Sequence, residues 1–105
     1  MTHTPDNWVI LKFKMKDGDT MRRILCGWSG GYLTGDSWRL STEPKSVVEE
    51  SDCYVFTTAS GSKYVCGKES QCIRMNCAYV LTELEQHREV ENVEILEFDI
   101  DTYTF

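Results

Sequence analysis

Between Val9 and Cys26 apolar residues recur at every second position: Val9, Leu11, Phe13 and Met15 before Asp17-Gly18, and Ile24 and Cys26 after it. A period of two marks a half-buried strand, because successive side chains point to opposite faces. Asp-Gly is the turn pair of a two-residue type I′ hairpin, which needs positive φ at both central positions. Closing the loop there sets Met15 opposite Thr20, Phe13 opposite Arg22, Leu11 opposite Ile24 and Val9 opposite Cys26. The predicted hairpin over 8–26 then has one apolar face. Its other face, with Lys12 opposite Arg23 and Lys14 beside Met21, is expected to meet solvent or carboxylates.

Residues 36–41, 46–50, 53–58 and 62–67 read as further short strands, rich in Val, Tyr, Phe and Thr. Glu43-Pro44-Lys45, Glu50-Ser51-Asp52 and Ala59-Ser60-Gly61 divide them. The register of the 53–67 hairpin stays open. A two-residue loop sets Phe56 opposite Val65 and a three-residue loop sets it opposite Tyr64, and the slip exchanges the faces of one strand.

Over 76–89 the period changes. Cys77, Val80, Leu81, Leu84 and Arg88 follow helical spacing, with Ile73 one turn earlier, and predict a core-facing helix. Asn76 is its expected N-cap. From 93 to 103 the period returns to two: Leu96, Phe98 and Ile100 alternate with Glu97, Asp99 and Asp101. That last strand is expected to pair with residues 8–14, with Lys12 and Lys14 across from the carboxylate row. The predicted fold is α+β: a strongly bent, barrel-like antiparallel β-meander of six to seven short strands, packed against one C-terminal helix.

A length of 105 residues implies a single domain over 1–105, with residues 1–7 a frayed N-terminal tail. No apolar run reaches the roughly 20 residues that cross a bilayer, and MTHTPDN is no secretory signal. The five cysteines are therefore expected as reduced thiols in a cytoplasm. The net charge of −6 is uneven: residues 80–105 carry Arg88 alone against eight carboxylates.

The stretch CGWSGGYLTGDSW, residues 26–38, is the first candidate for chemistry. Its glycines, at 27, 30, 31 and 35, match no dinucleotide fingerprint, and no Gly-Lys-Ser/Thr ending or helix follows. They are read as corners of a bent sheet, with Trp28, Tyr32 and Trp38 covering the core ends. Cys66, Cys72 and Cys77 lack zinc-knuckle spacing, Cys26, Cys66 and Cys77 sit at apolar positions, and no cofactor or metal is expected. Cys72 with His87 is the one nucleophile–base pair to test, since a cysteine nucleophile needs a base. A His in a last helical turn is equally explained by the helix dipole. Ser60 and Ser62 flank a turn and belong to no Gly-x-Ser-x-Gly elbow. Glu97, Asp99 and Asp101 lack the glycine turn and closing Glu of a calcium loop.

Three functions are carried forward. The first is a non-enzymatic domain that docks on a protein partner through an acidic surface, Glu83, Glu85, Glu89, Glu97, Asp99 and Asp101, with Trp28, Tyr32 and Trp38 as aromatic anchors. The second is a single-strand nucleic-acid binder using Lys12, Lys14, Lys16, Arg22 and Arg23, disfavoured by the net charge. The third is an enzyme or small-ligand binder built from the Gly27–Gly35 loop with Cys72 and His87. An exposed edge strand could also serve a homodimer. In size, short hairpins and abundant turns the chain resembles small phage or bacterial accessory proteins such as inhibitors, immunity proteins and anti-defence proteins, by analogy and not by motif.

Overall fold

A computed structural model of the chain describes the backbone of residues 1–31, 35–72 and 75–105, and side chains outside 29–37 and 73–79. Along the chain run β1 (Thr2–His3), β2 (Asn7–Met15), β3 (Thr20–Gly31), β4 (Gly35–Leu40), β5 (Pro44–Glu49), β6 (Cys53–Thr58), β7 (Lys63–Gly67), α1 (Met75–Glu85) and β8 (Val90–Leu96). The α+β class holds, with eight strands among the described residues rather than six or seven. They form two open sheets, ordered β1-β7-β6-β5 and β4-β3-β2-β8, in place of a single barrel-like meander.

The first turn also departs from the expected form. Pairing runs Lys14 to Thr20, Phe13 to Met21, Ile10 to Ile24 and Trp8 to Cys26, one residue away from the two-residue-loop expectation. The Met15 N–H donates to Asp19 C=O at 2.8 Å and the Gly18 N–H to Met15 C=O at 3.0 Å, which encloses three residues. Gly18 alone takes positive φ, at 96°, where a type I′ turn would also require it of Asp17. The 53–67 hairpin repeats the device: Thr58 N–H to Ser62 C=O, Gly61 N–H to Thr58 C=O, and Gly61 at φ 85°. Its open register resolves to Phe56 opposite Tyr64.

β2 and β3 each carry apolar side chains on both faces, and the one-residue shift decides which of those faces coincide. Trp8, Ile10, Ile24 and Cys26 face the other sheet and pack with Phe56, Tyr64, Cys66 and Phe98. Val9, Leu11, Phe13 and Leu25 face the opposite way and pack with Val80 of α1 and with Val90 and Val93 of β8. The result is three layers, sheet on sheet on helix, with β2 in the middle. Burial of each large side chain contributes about 1.5–3 kcal/mol. Ser41 carries the chain from one sheet to the other. Its buried hydroxyl accepts the Ile24 N–H at 2.8 Å and donates to Thr42 C=O at 2.6 Å.

Trp8 ties the layers together. Its ring lies 5.6 Å from Phe56, 6.0 Å from Phe98 and 6.3 Å from Tyr54 between centroids. Its indole N–H donates to Gly67 C=O at 2.8 Å, and its backbone N–H to Ser70 C=O at 3.1 Å.

The last strand does pair antiparallel with β2, from Met15–Val90 to Ile10–Leu96, but it ends at Leu96 instead of continuing to 103. The helix covers 75–85, shorter than 76–89. Asn76 is therefore inside it rather than capping it, and Arg88 is exposed beyond its end. Residues 1–7 are not a frayed tail. Thr2–His3 pairs parallel with Lys63–Tyr64, and Pro5 and Asn7 are buried.

Two substitutions test this account. Trp8→Phe leaves the Gly67 carbonyl without its donor and opens space between the sheets, so urea unfolding should show a loss of about 2–4 kcal/mol. Gly61→Ala meets no steric neighbour but must hold positive φ, and should cost roughly 1 kcal/mol with the fold retained by circular dichroism.

Candidate functional site

The carboxylates singled out from the sequence fall into two groups. Glu83 and Glu85 lie on α1 and Glu89 in the turn after it, all exposed, on the helix layer. Glu97, Asp99 and Asp101 follow the far end of β8, where Phe98 turns into the core between the sheets. Seven strand residues separate Glu89 from Glu97, about 26 Å at roughly 3.3 Å per residue. The six carboxylates thus form two groups on different layers.

The second group is built on a fixed frame. Residues 97–101 are irregular rather than β, yet the apolar alternation still works: Phe98 is 4% exposed, and Leu96, Ile100 and Tyr103 pack beside it. With no ladder partner, the Phe98 backbone is met by one side chain. The Gln71 amide nitrogen donates to Phe98 C=O at 3.2 Å, and its oxygen accepts the Phe98 N–H. Gln71 is itself held in a parallel bridge to Trp8. The Asp99 carboxylate accepts the Asp101 N–H at 3.0 Å, which curls the chain so that Glu97, Asp99 and Asp101 all remain exposed. Glu97 and Asp99 border one shallow depression with Tyr54 and Thr102. Lys68 lies 5.3 Å from the Tyr54 ring centre and bonds Glu49 at 2.7 Å, a hydrogen bond that pushes the Lys68 ammonium pKa up.

The aromatic anchors do not share a face. Trp28 lies on the inter-sheet side, partly buried against that core, and its indole N–H donates to Thr4 C=O at 2.9 Å. Trp38 is paired with Gly27, which offers no side chain to cover it, and is 39% exposed on the helix side. Tyr32 lies outside the described residues.

The basic ribbon is occupied from within the fold. Lys12 approaches Glu94 at 4.0 Å and Lys14 approaches Glu91 at 3.9 Å, so the lysines meet β8 acids rather than the predicted 97–101 row. Arg22, not Arg23, is paired with Lys12 across the strands. The Arg22 guanidinium sits 5.1 Å from the Tyr103 ring centre and donates to Thr104 C=O. Arg23 donates to Ser41 C=O at 3.1 Å.

Cys72 and His87 form no dyad. Cys72 borders a depression with Val9, Ile95 and Leu96, whereas the His87 C=O accepts the Val90 N–H at the opposite end of β8, six strand residues or about 20 Å away at roughly 3.3 Å per residue. The His87 Nδ1 accepts the Glu89 N–H at 3.3 Å, closing the turn past the helix rather than meeting its dipole in the last turn. Of the Gly27–Gly35 stretch, residues 27–31 and 35 form the paired ends of β3 and β4, with a register shift between Trp28 and Gly31, and residues 32–34 lie outside the described residues. Cys26 and Cys66 are wholly buried in the inter-sheet core, and burial pushes the Cys66 thiol far above its ordinary pKa. Desolvation, then Glu50 and Asp52, raise that of Cys53. Among the described residues no His, Cys, Asp and Glu side chains gather as a metal site, and no helix is long and apolar enough to cross a membrane.

No family model, curated protein or solved structure matches the chain.

Gln71 is the residue that sequence reasoning missed, because only tertiary contact gives it a role. Gln71→Ala should cost about 1–3 kcal/mol in urea unfolding and loosen residues 97–101 in amide exchange. Under native alkylation read by mass spectrometry, Cys72, which is exposed, should be modified first, and Cys26 and Cys66 only on unfolding.

Proposed function

We propose that the protein is a non-enzymatic interaction domain, and that it docks through Glu97, Asp99 and Asp101 on a basic surface of another protein. The observation that carries this is the frame beneath the three carboxylates. Phe98 is anchored in the core and its backbone is held at two points by Gln71, so the acidic groups are presented already ordered. Ordering before contact lowers the entropic cost of association, and a charged platform steers encounter. The ion pairs found among the described residues engage Glu43, Glu49, Glu91 and Glu94, and leave this platform's charge for a partner. The helix acids have no comparable frame.

Nucleic-acid binding is the weaker reading, because Lys12, Lys14, Arg22 and Arg23 each already meet a group within the fold. A catalytic role for Cys72 with His87 is weaker still, given the distance between them.

The test is affinity capture from native host lysate with two triple variants. Glu97→Gln/Asp99→Asn/Asp101→Asn keeps the side-chain shapes and should reduce capture of a reproducible protein partner at least tenfold at 150 mM salt, about 1.4 kcal/mol or more. Glu83→Gln/Glu85→Gln/Glu89→Gln should leave it within twofold. Equal capture by both variants, or salt-sensitive binding of an oligonucleotide instead, would reject the assignment.

A further inference from the structure

Residues 1–6 cross between the sheets before β2 begins. Met1 C=O accepts the Lys63 N–H at 2.8 Å, Thr4 C=O accepts the Trp28 indole N–H, and the Asp6 N–H donates to Gly27 C=O at 2.9 Å. β1 is only two residues long, so it adds little ladder of its own. At its centre sits His3. The imidazole stacks on Tyr64, with centroids 4.8 Å apart and planes 26° apart, and meets Trp28 edge-on at 6.4 Å. The His3 Nε2 is shut off from solvent and has no hydrogen-bond partner.

A neutral imidazole tolerates that position, and a protonated one does not. The new N–H would be buried without an acceptor, at a cost well above that of a satisfied donor. The groups around the ring make it worse. From β4 comes the Arg39 guanidinium, which donates to the Tyr64 hydroxyl at 3.2 Å. From β7 comes the Tyr64 phenol, from β3 the uncharged Trp28 indole, and from the arm itself the amino terminus. The charges that act on the ring, Arg39 and the amino terminus, are both positive.

We propose that residues 1–6 are a proton-released strap: they close over the β7 edge while His3 is neutral and lift away when it takes a proton. Desolvation first, then Arg39 and the amino terminus, hold the His3 pKa below its ordinary 6.5 in the closed form. Closure is therefore fully favoured above pH 6.5 and weakens as pH falls below it, by up to about tenfold per pH unit until the closed form itself protonates. Release frees the Lys63–Gly67 edge and uncovers the Tyr64 and Trp28 rings. The core of the two sheets keeps its own contacts.

The experiment is NMR on the full chain between pH 7.5 and 5.0. It follows the His3 ring titration together with the exchange protection factors of the Lys63 amide and the Trp28 indole N–H. The Ile10 and Phe56 amides serve as core references. A His3 midpoint below 6.5 is expected, with at least tenfold loss of protection at Lys63 and Trp28 across the range and steady core values. His3→Phe keeps the ring stack without a titrating nitrogen and should hold protection at every pH, whereas His3→Lys should lose it even at pH 7.5. The strap is refuted by a midpoint at or above 6.5, by protection unchanged down to pH 5.0, or by the same loss in His3→Phe.

Discussion

The indole of Trp8 is the point on which this fold turns. It stands in the longest buried run among the described residues, Asn7–Leu11, in the middle strand of three layers, and its ring supplies the centre of the aromatic cluster between the sheets. Its two N–H groups reach Gly67 and Ser70, so the loop leaving β7 is fixed by the same residue that fills the core. Gln71 follows from that loop, and the frame of the acidic platform follows from Gln71. A large apolar body with one polar tip is what such a position needs: the body excludes water and the tip satisfies a carbonyl that water can no longer reach.

Two glycines determine what Trp8 can meet. Gly18 and Gly61 each close a three-residue hairpin loop in the left-handed conformation, and each loop sets the register of the strands it joins. Trp8 and Ile10 alternate with Val9, Leu11 and Phe13 whatever the loop, so both sides of β2 carry apolar residues; the three-residue loop sets Ile24 and Cys26 on the side of Trp8 and Ile10, and Leu25 on the other. A sheet buried on both faces needs a cover on each, which the second sheet and the helix provide.

The same geometry redistributes charge. Acids that stand close in sequence are parted by the length of β8 and the thickness of the central sheet. Lys12, Lys14, Arg22 and Arg23 of the first hairpin are drawn to β8, Tyr103, Thr104 and Ser41, and Glu97, Asp99 and Asp101 enter none of the ion pairs found among the described residues. The aromatic residues proposed as anchors are divided likewise, Trp28 to the inter-sheet side beside His3 and Trp38 to the helix side.

Alternation from Val9 onward, the short strands between 36 and 67, the helical spacing of Val80, Leu81 and Leu84, and the pairing of the last strand with β2 were all legible in the sequence. They are local periodicities, and burial rewards them wherever the chain goes. Phe98 and Ile100 read correctly as apolar and inward, but incorrectly as strand, because alternation reports which residues are buried and not which backbone partners they find. What only the tertiary structure decided was non-local: one residue of register at Gly18, the role of Gln71 twenty-seven residues from the backbone it holds, the seating of His3 on Tyr64, and the separation of Cys72 from His87. Each depends on where two distant segments meet, and a pattern confined to one segment carries no information about the other.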